Sequence, residues 1–399
     1  MNYEKYLSKI VTAIPPSGIR KFFDVADKYK DVISLGVGEP DFDTPWCARE
    51  AGIKSVQKGI TQYTSNSGLP ILRENIALYL KQRFDVDYDA ANEIFVTVGA
   101  SEAIYLALRA IINDGDEIIV PEPSYVSYMP SVAICGGKAI PAKCFVEDEF
   151  RLTAENLEKV ITDKTKALIL PYPNNPTGAV MPRENLEDIA RVVKKHDLLV
   201  LSDEIYCELT YGDKRHTCFA EIDGMKERTV LINGFSKAFA MTGWRVGYVC
   251  APNAIFKQML KIHQYIIMCA STNAQYAALG ALKGGFEDNF AEMGKMVEEY
   301  DIRRRFLVSR LNAMGLTCFE PKGAFYVFPC VKSTGMSGEE FANRLLEEGK
   351  VAVVPGDAFG ESGKDFIRIS YAYSLNKLQK AMDRIEEFVA KYKNNRSHT

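Results

Sequence analysis

The stretch TVLINGFSKAFAMTGWRVGYVC, residues 229–250, sets the fold expected for the whole chain. Two apolar runs, 229–233 and 246–250, enclose a loop of small residues that carries Lys237 and Arg245. Short apolar runs bounded by glycine are typical of buried strands. We therefore expect two strands here, with a lysine and an arginine in the segment that connects them.

Runs of this type recur upstream, each beside a segment whose apolar residues have helical spacing. EIFVTV (93–98) precedes SEAIYLALRAII (101–112), and KALILPYP (166–173) precedes RENLEDIARVVKKH (183–196). Such alternation indicates an α/β fold, in which helices cover both faces of a mainly parallel sheet. The pattern holds from about residue 48 to residue 280.

The last third of the chain has a different pattern. A long charged helix is expected over 292–315, followed by three short apolar runs and a closing helix over 376–392. The predicted buried face of the closing helix carries Leu378, Met382, Ile385 and Val389. We interpret this part as a smaller α+β domain.

Composition narrows the classes of partner. The chain has 399 residues, 47% apolar and 25% charged, with a net charge of -3. This balance gives no electrostatic reason to expect nucleic acid or an anionic membrane as partner. No apolar run reaches the roughly 18 residues that cross a bilayer, and MNYEKYLSKI at the start lacks the continuous apolar segment of a signal peptide.

Cysteine and histidine usage points to a reducing compartment and no metal. Nine cysteines lie between Cys47 and Cys330 without CxxC spacing, and the four histidines have no ligand spacing to one another. We expect reduced, mostly buried thiols in a cytoplasmic protein and no metal site.

Unusual polar residues follow four of the predicted strands. In open parallel sheets, ligands bind beyond the carboxyl ends of the strands, so these residues are expected to form one site. They are Gly99, Ala100 and Ser101 after EIFVTV, Asn175 after KALILPYPN, Asp203 after LLVLS, and Lys237 after TVLINGF.

The chemistry of the loop lysine and arginine suggests a family. A lysine there suits a Schiff base with an aldehyde cofactor, and an arginine eight residues later suits a phosphate clamp. With YPNNPTG (172–178) and SDEIY (202–206) in the same order, the chain resembles the fold type I pyridoxal-phosphate-dependent aminotransferases. The resemblance is greatest to the prokaryotic aspartate and aromatic branch, and it extends from SGIRKFFD (17–24) to FIRISYA (366–372).

The resemblance implies pyridoxal 5′-phosphate as cofactor and a role for each residue around its ring. Lys237 would hold the aldehyde carbon, and Asp203 would keep the pyridine nitrogen protonated. Asn175 and Tyr206 would contact the phenolic oxygen O3′, and Tyr125 would stack on the ring. Taken singly, Asp203 also suits a helix N-cap on a surface loop, and Asn-Pro begins many ordinary turns.

The resemblance also implies a phosphate-binding cup. Ala100 and Ser101 match the backbone positions of this cup, and Arg245 would add a charge-assisted clamp. The alternative for Ser101 alone is the N-cap of an ordinary strand-to-helix turn. Tyr63 matches a tyrosine that reaches the phosphate of the neighbouring subunit, which implies a homodimer with a shared active site.

One position departs from the family pattern. Three residues before the lysine, many relatives carry a phosphate-binding serine, where this chain has Gly234. Ser236 remains as a second candidate phosphate ligand.

The substrate's α-carboxylate would be held by Arg368, whose planar guanidinium matches a carboxylate with two hydrogen bonds. Gly38 would let the backbone approach the same carboxylate, and Asn175 and Tyr125 also match substrate contacts. For an acidic substrate side chain, Arg109 and Arg20 are the candidate second cations, although a solvated Arg109 is the simpler alternative. For an aromatic side chain, IPPSGI (14–19) offers an apolar lining.

The implied activity is a ping-pong transfer of the amino group of an L-amino acid, aspartate or aromatic, to a 2-oxo acid such as 2-oxoglutarate. A C–S β-lyase on the same fold is the alternative, since the shared residues only weaken bonds at Cα. Arg368 disfavours a decarboxylase. The sensory domain of a transcription regulator is rejected because it needs a DNA-binding module before the large domain.

The resemblance divides the chain into two domains. Residues 48–283 would form the large domain around a seven-stranded type of sheet. Residues 1–47 and 284–399 would form a discontinuous small domain. The N-terminal part would pack through a helix over SGIRKFFDVA (17–26), with Ser17 as its N-cap. The apolar stripe of that helix would be Ile19, Phe22, Phe23 and Ala26.

Overall fold

The structure is a computed structural model that describes residues 1, 3–16, 31–212 and 215–394. The helix predicted over 17–26 and the candidate cation Arg20 lie outside these residues. In the described part of the chain, no helix combines the length and the apolar character needed to span a membrane. The nine cysteines are free, and six of them are buried.

The strands alternate with helices along most of the chain. The strands are β1 (Ile33–Ser34), β2 (Ile94–Thr97), β3 (Glu117–Glu122), β4 (Lys138–Lys143), β5 (Thr165–Leu170), β6 (Leu199–Asp203), β7 (Thr229–Gly234), β8 (Gly247–Cys250), β9 (Tyr326–Val327), β10 (Val351–Ala352), β11 (Val354–Pro355) and β12 (Ile367–Ser370). The α-helices are α1 (Lys9–Ala13), α2 (Trp46–Gln57), α3 (Pro70–Phe84), α4 (Gly99–Ile111), α5 (Tyr128–Ile134), α6 (Ala154–Glu158), α7 (Arg183–Lys195), α8 (Asn253–Ile266), α9 (Thr272–Asp288), α10 (Ala291–Ala313), α11 (Gly338–Arg344) and α12 (Leu375–Asn394).

Seven strands form the central sheet, in the order β2-β8-β7-β6-β5-β3-β4. Strand β8 is antiparallel to both of its neighbours, and the other pairs are parallel. The expected α/β fold with a mainly parallel sheet is confirmed.

Burial explains the apolar runs read from the sequence. Strands β2, β3, β7 and β8 are buried along their whole length, because helices cover both faces of the sheet. Helix α7 buries Leu186, Ile189 and Val193 while its charged residues face outward. Its apolar spacing therefore reflects one buried face, as predicted.

The remaining strands form two small sheets. Strand β1 pairs in parallel with β10, and β11, β12 and β9 form an antiparallel sheet in that order. The predicted face of α12 is confirmed, since its four apolar residues are at most 1% exposed. The β1–β10 pair joins the N-terminal segment to the C-terminal third, as a discontinuous small domain requires. The boundaries at 47/48 and 283/284 stay predictions.

Candidate active site

The candidate site residues predicted at strand ends lie at one edge of the central sheet. Gly99 begins α4 directly after β2, and Asp203 is the last residue of β6. Asn175 follows β5 by five residues and Lys237 follows β7 by three. Because these strands run parallel, their carboxyl ends bring the four residues to the same edge.

Asp203 is a buried carboxylate with neutral donors. It is 5% exposed, Tyr128 Oη donates to its Oδ2 at 2.8 Å, and the Ile205 N–H donates to its Oδ1 at 3.2 Å. Burial raises the pKa of Asp203 to about 6. Among the described residues, no lysine or arginine nitrogen forms an ion pair with it. A buried carboxylate of this kind fits a cation such as a protonated pyridine nitrogen, and the surface-loop alternative is wrong.

Lys237 lies in the loop after β7 with its ammonium group inside the site. Its Nζ donates to the Gly38 carbonyl at 2.6 Å and lies 5.8 Å from the ring centre of Tyr206 and 5.7 Å from that of Phe325. Burial lowers the pKa of Lys237 to about 8, and nearby guanidinium groups add to this effect. About a tenth of the amine is therefore uncharged at pH 7, far more than for a lysine with an ordinary pKa.

Arg368 on β12 is 3% exposed and is held by neutral groups. Its Nη1 donates to Asn175 Oδ1 at 2.9 Å, and its Nη2 donates to the Gly36 carbonyl. The guanidinium lies 4.5 Å from the ring centre of Tyr326 and 4.9 Å from that of Phe359. These contacts orient the fork without neutralising its charge.

The same guanidinium has capacity for another ligand. Within the described ranges, Arg368 Nε has no hydrogen-bond partner and no carboxylate forms an ion pair with the side chain. Burial accordingly lowers the pKa of Arg368. An incoming carboxylate would supply the missing charge and hydrogen bond.

The start of α4 forms a cup for an anion. The first backbone N–H groups of a helix have no partner within it, so those of Ala100 and Ser101 can bind phosphate. Gly99 has φ +72°, and a Cβ there would lie 2.6 Å from Nη2 of Arg245. The Arg245 guanidinium therefore lies against the backbone of the cup. The donor set fits the phosphate of pyridoxal phosphate.

Two tyrosine pairs line the space between these groups. The hydroxyls of Tyr206 and Tyr326 are 2.9 Å apart, and both residues are buried. Tyr125 meets Tyr128 edge to face, with ring centres 5.5 Å apart and an interplanar angle of 83°. The sequence analysis missed Tyr128 and Tyr326. Tyr128 could have been found from its position three residues after Tyr125, but no pattern marks Tyr326.

Some predicted residues do not join the cluster within this chain. Tyr63 is 80% exposed, and Ser101 is exposed at the rim of the cup. Arg109 is exposed in the last turn of α4, about 15 Å along the helix axis from Gly99. That distance favours the solvated alternative for Arg109 over a substrate contact.

Gly234 departs from the family pattern for a steric reason. In the β7–β8 pair, Gly234 is opposite Gly247, and a Cβ on Gly234 would lie 2.9 Å from the Gly247 Cα. A serine would clash with the paired strand, so this position cannot supply a phosphate hydroxyl in this backbone. Ser236 is 7% exposed beside the lysine.

Gly38 also has a packing reason. A Cβ there would lie 2.3 Å from the Tyr326 hydroxyl, so glycine makes room for that group. The sequence analysis expected glycine at position 38 for a different reason, namely that it lets the backbone approach the substrate's carboxylate.

Known proteins match nearly the whole chain. The family described as "Aminotransferase class I and II" matches residues 30–385. An aspartate aminotransferase of Pyrococcus abyssi is 48% identical, covering 97% of this chain and 99% of that protein. An aromatic-amino-acid aminotransferase of Thermococcus litoralis is 44% identical with the same coverage.

A solved structure agrees with the sequence matches. The crystal structure of an aromatic aminotransferase from Pyrococcus horikoshii superposes with a TM-score of 0.89 at 46% identity, covering 94% of this chain and 99% of that one. Enzymes of this family use pyridoxal phosphate, which fits the buried carboxylate, the lysine and the anion cup described above. The chain therefore belongs to the class I and II aminotransferases and is itself an aminotransferase of fold type I.

Proposed function

We propose that Lys237, Asp203 and Tyr206 carry the reaction, and that the enzyme moves the amino group of an aromatic L-amino acid to a 2-oxo acid in two alternating half-reactions. Bound pyridoxal phosphate supplies a carbonyl carbon that condenses with amines and a ring that accepts electrons from a bond at Cα. The observation that supports these roles is that a buried carboxylate, which forms no ion pair in the described part of the chain, and a lysine with a lowered pKa lie at one sheet edge.

Lys237 acts as the proton carrier. With its pKa lowered to about 8, the Nζ atom is close to the range in which a general base is effective at neutral pH. The uncharged Nζ would accept the proton from the substrate Cα and would then return it to C4′, the former aldehyde carbon of the bound cofactor, on the same side of the site. The Gly38 carbonyl, at 2.6 Å, orients the amine for both steps.

The polar residues around the ring control charge. Asp203 keeps the proton on the pyridine nitrogen, and Tyr128 fixes the carboxylate that does so. Tyr206 and Asn175 donate to the phenolic oxygen O3′. Tyr125 packs on the ring face.

The anchors at the two ends fix orientation. Ala100, Ser101 and Arg245 hold the phosphate, with Ser236 as a further candidate and Tyr63 of the partner subunit completing the cup. Arg368, Asn175 and the backbone of Gly38 hold the α-carboxylate, so the Cα–H bond faces Lys237.

The charges in the site favour an aromatic donor over an acidic one. Two guanidinium groups influence Lys237, those of Arg368 and Arg245. The first is assigned to the α-carboxylate and the second to the phosphate, so neither of these two, among the residues that the structure describes, is left for a side-chain carboxylate. The Arg368 guanidinium lies over the ring of Tyr326, and Tyr125, Tyr206 and Tyr373 are near enough to influence its pKa. A neutral aromatic side chain needs no second cation in such surroundings.

The test is an absorbance spectrum of the holoenzyme with single L-amino acids and no 2-oxo acid. Phenylalanine and tyrosine should convert the bound cofactor to its aminated form at concentrations at least tenfold lower than aspartate does. The Lys237→Ala variant should bind cofactor without converting it. Equal or better conversion by aspartate would contradict the substrate proposal alone, and conversion by Lys237→Ala would contradict the catalytic one. Pyruvate release from cystathionine, assayed in parallel, checks the β-lyase alternative.

We also propose that two copies of the chain share the active site. Tyr63 lies beside the end of α8, because Thr272 Oγ1 donates to the Gln62 carbonyl at 2.6 Å and Asn66 Nδ2 donates to the Met268 carbonyl at 2.9 Å. Large apolar side chains are exposed around this place, as an interface requires. They are Ile53, Val56, Tyr265, Ile266, Ile267 and Met268.

Mixing two inactive variants tests the shared site. A dimer that combines a Lys237→Ala subunit with a Tyr63→Ala subunit contains one site with both residues intact. The mixture should therefore regain activity that neither parent has. A monomer in sedimentation, or no recovery in a verified hybrid, would contradict the proposal.

The free thiols support a reducing compartment, and we place the enzyme in the cytoplasm.

A further inference from the structure

Tyr326 lies between the cofactor half and the substrate half of the site. It is 1% exposed on β9, and its hydroxyl is 2.9 Å from that of Tyr206. The Arg368 guanidinium lies 4.5 Å from the centre of its ring. One buried side chain thus contacts the residue assigned to O3′ and the residue assigned to the α-carboxylate.

The position of this side chain is fixed by the backbone on several sides. A Cβ on Gly38 would lie 2.3 Å from the Tyr326 hydroxyl, and the carbonyl of Gly38 accepts from Lys237. Strand β9 pairs with β12, the strand that carries Arg368, with Tyr326 opposite Ser370. A shift of Tyr326 would therefore disturb the substrate anchor and the catalytic lysine together.

The direction of the tyrosine–tyrosine hydrogen bond determines what Tyr206 can do. A phenol has one proton to donate. When Tyr206 donates to Tyr326, that proton is not available for O3′. When Tyr326 donates instead, Tyr206 keeps its proton for O3′ and becomes a stronger donor through the chain of hydrogen bonds. Among the described residues, the Tyr326 hydroxyl has a hydrogen-bond partner only in Tyr206, so with O3′ present the second arrangement is the one that gives both hydroxyl protons an acceptor.

We propose that Tyr326 is a positioning residue with two contacts. Its hydroxyl donates to Tyr206 and so directs the Tyr206 proton to O3′, and its ring holds Arg368 in place for the α-carboxylate. The inference rests on the roles proposed above for Tyr206 and Arg368.

The hydroxyl is tested with Tyr326→Phe, which keeps the ring. In the holoenzyme, we expect the pH midpoint of the cofactor's absorbance change to rise by about 0.3 to 1 pH unit, the equivalent of one hydrogen bond. The midpoint rises because the negatively charged form of O3′ loses part of its stabilisation. The oxygen is then more basic, and a nearby proton stays bound to a higher pH. We expect kcat to fall about threefold while KM is unchanged, because the ring still holds Arg368.

Two further variants separate this inference from the proposed function. Tyr206→Phe should raise the midpoint at least as much, and the double variant should match Tyr206→Phe alone if Tyr326 acts through Tyr206. A shift in Tyr206→Phe with none in Tyr326→Phe would overturn the role of Tyr326. No shift in either would overturn the role proposed for Tyr206.

A matched control is available in the same part of the fold. Tyr371 is also buried, and its hydroxyl is 3.2 Å from that of Tyr211. Tyr371→Phe removes this contact and the one to the Ala324 carbonyl at 3.1 Å, neither of which involves a residue of the proposed site, and should leave the midpoint unchanged. If it shifts the midpoint as much as Tyr326→Phe, the effect is one of packing and the proposal fails.

The ring is tested with Tyr326→Leu. Relative to Tyr326→Phe, this variant should raise the KM for the amino donor about 3- to 10-fold, because Arg368 loses the aromatic face beneath it. The same KM in the Leu and Phe variants would overturn the role of the ring, while the midpoint still tests the hydroxyl.

Discussion

Two carboxylates are buried beside tyrosines near the central sheet, and their surroundings differ in one respect. Glu208 accepts from Arg83 Nε at 2.9 Å and Nη2 at 2.6 Å, and from Tyr79 Oη at 2.6 Å. Asp203 accepts from a tyrosine and a backbone amide, but no lysine or arginine in the described part of the chain lies within ion-pair distance of it. The chain neutralises Glu208 itself, whereas the proposed role of Asp203 is to pair with a cation that a ligand brings.

The arginines show the same difference. Arg304 is 4% exposed and contacts the carboxylates of Asp301 and Glu320, each at 2.6 Å. Arg368 is equally buried, yet the groups described around it are an amide, a carbonyl and aromatic rings. A buried charge that the chain does not neutralise is a better indicator of function here than burial or charge alone.

The largest expected difference between the two carboxylates is in catalysis. Asp203→Asn should lower kcat at least 100-fold, because a neutral amide cannot keep the pyridine nitrogen protonated. Glu208→Gln should keep kcat within about twofold, because Glu208 belongs to no part of the proposed site. Single-turnover conversion followed by absorbance measures both. Equal losses would show that the two carboxylates do not differ in function.

The second difference concerns stability against pH in the cofactor-free protein. The pKa of Asp203 is raised by burial from 3.8 to about 6, so its contribution to stability is fully present below about pH 4. That contribution is lost as the pH rises through about 6. The loss in the free energy of unfolding is about 3 kcal/mol.

Urea unfolding of the cofactor-free protein from pH 4 to pH 7 measures this loss. The Asp203→Asn variant lacks the titrating group, so the loss is the change with pH in the difference between the two free energies of unfolding. Added pyridoxal phosphate should remove the difference, because the ring nitrogen provides the missing cation. Parallel stability curves without cofactor would contradict the prediction.

The smallest expected difference is in stability at fixed pH. Glu208→Gln should lower the free energy of unfolding by about 2 kcal/mol, because Arg83 and the buried Tyr79 lose a charged acceptor. The value is moderate because Arg83 remains one-third exposed to water. Asp203→Asn should cost less at pH 7, since it removes an unpaired charge. Chemical denaturation of the cofactor-free variants checks both values.

The sequence predicted the parts of the site that follow local rules. Lys237, Asp203, Asn175 and Gly99 each come at or just after an apolar run, and parallel strands end at the same edge. The resemblance to a family was needed to assign their roles and to single out Arg368. Geometry then explained Gly234, because the β7–β8 register leaves no room for a side chain.

The parts that were missed depend on contacts between distant segments. Tyr128 reaches Asp203 across 75 residues, and Tyr326 reaches Tyr206 across 120. Neither contact leaves a periodic pattern, because each tyrosine sits among other aromatic and apolar residues. The sequence also did not decide whether Arg109 is exposed. Helical spacing predicts the face of α4 on which Arg109 lies, but it does not predict which groups lie opposite that face.

The pairing of β1 with β10 has a consequence for synthesis on the ribosome. Ile33 is made early, but its partner Val351 is added about 320 residues later. Since a ribosome adds roughly 5 to 20 residues per second, β1 remains unpaired for about 15 s to 60 s before β10 is synthesised. During that interval, a nascent chain carries an unpaired edge and the apolar residues beside it. Chaperones that bind short apolar segments have their longest opportunity at this end of the polypeptide.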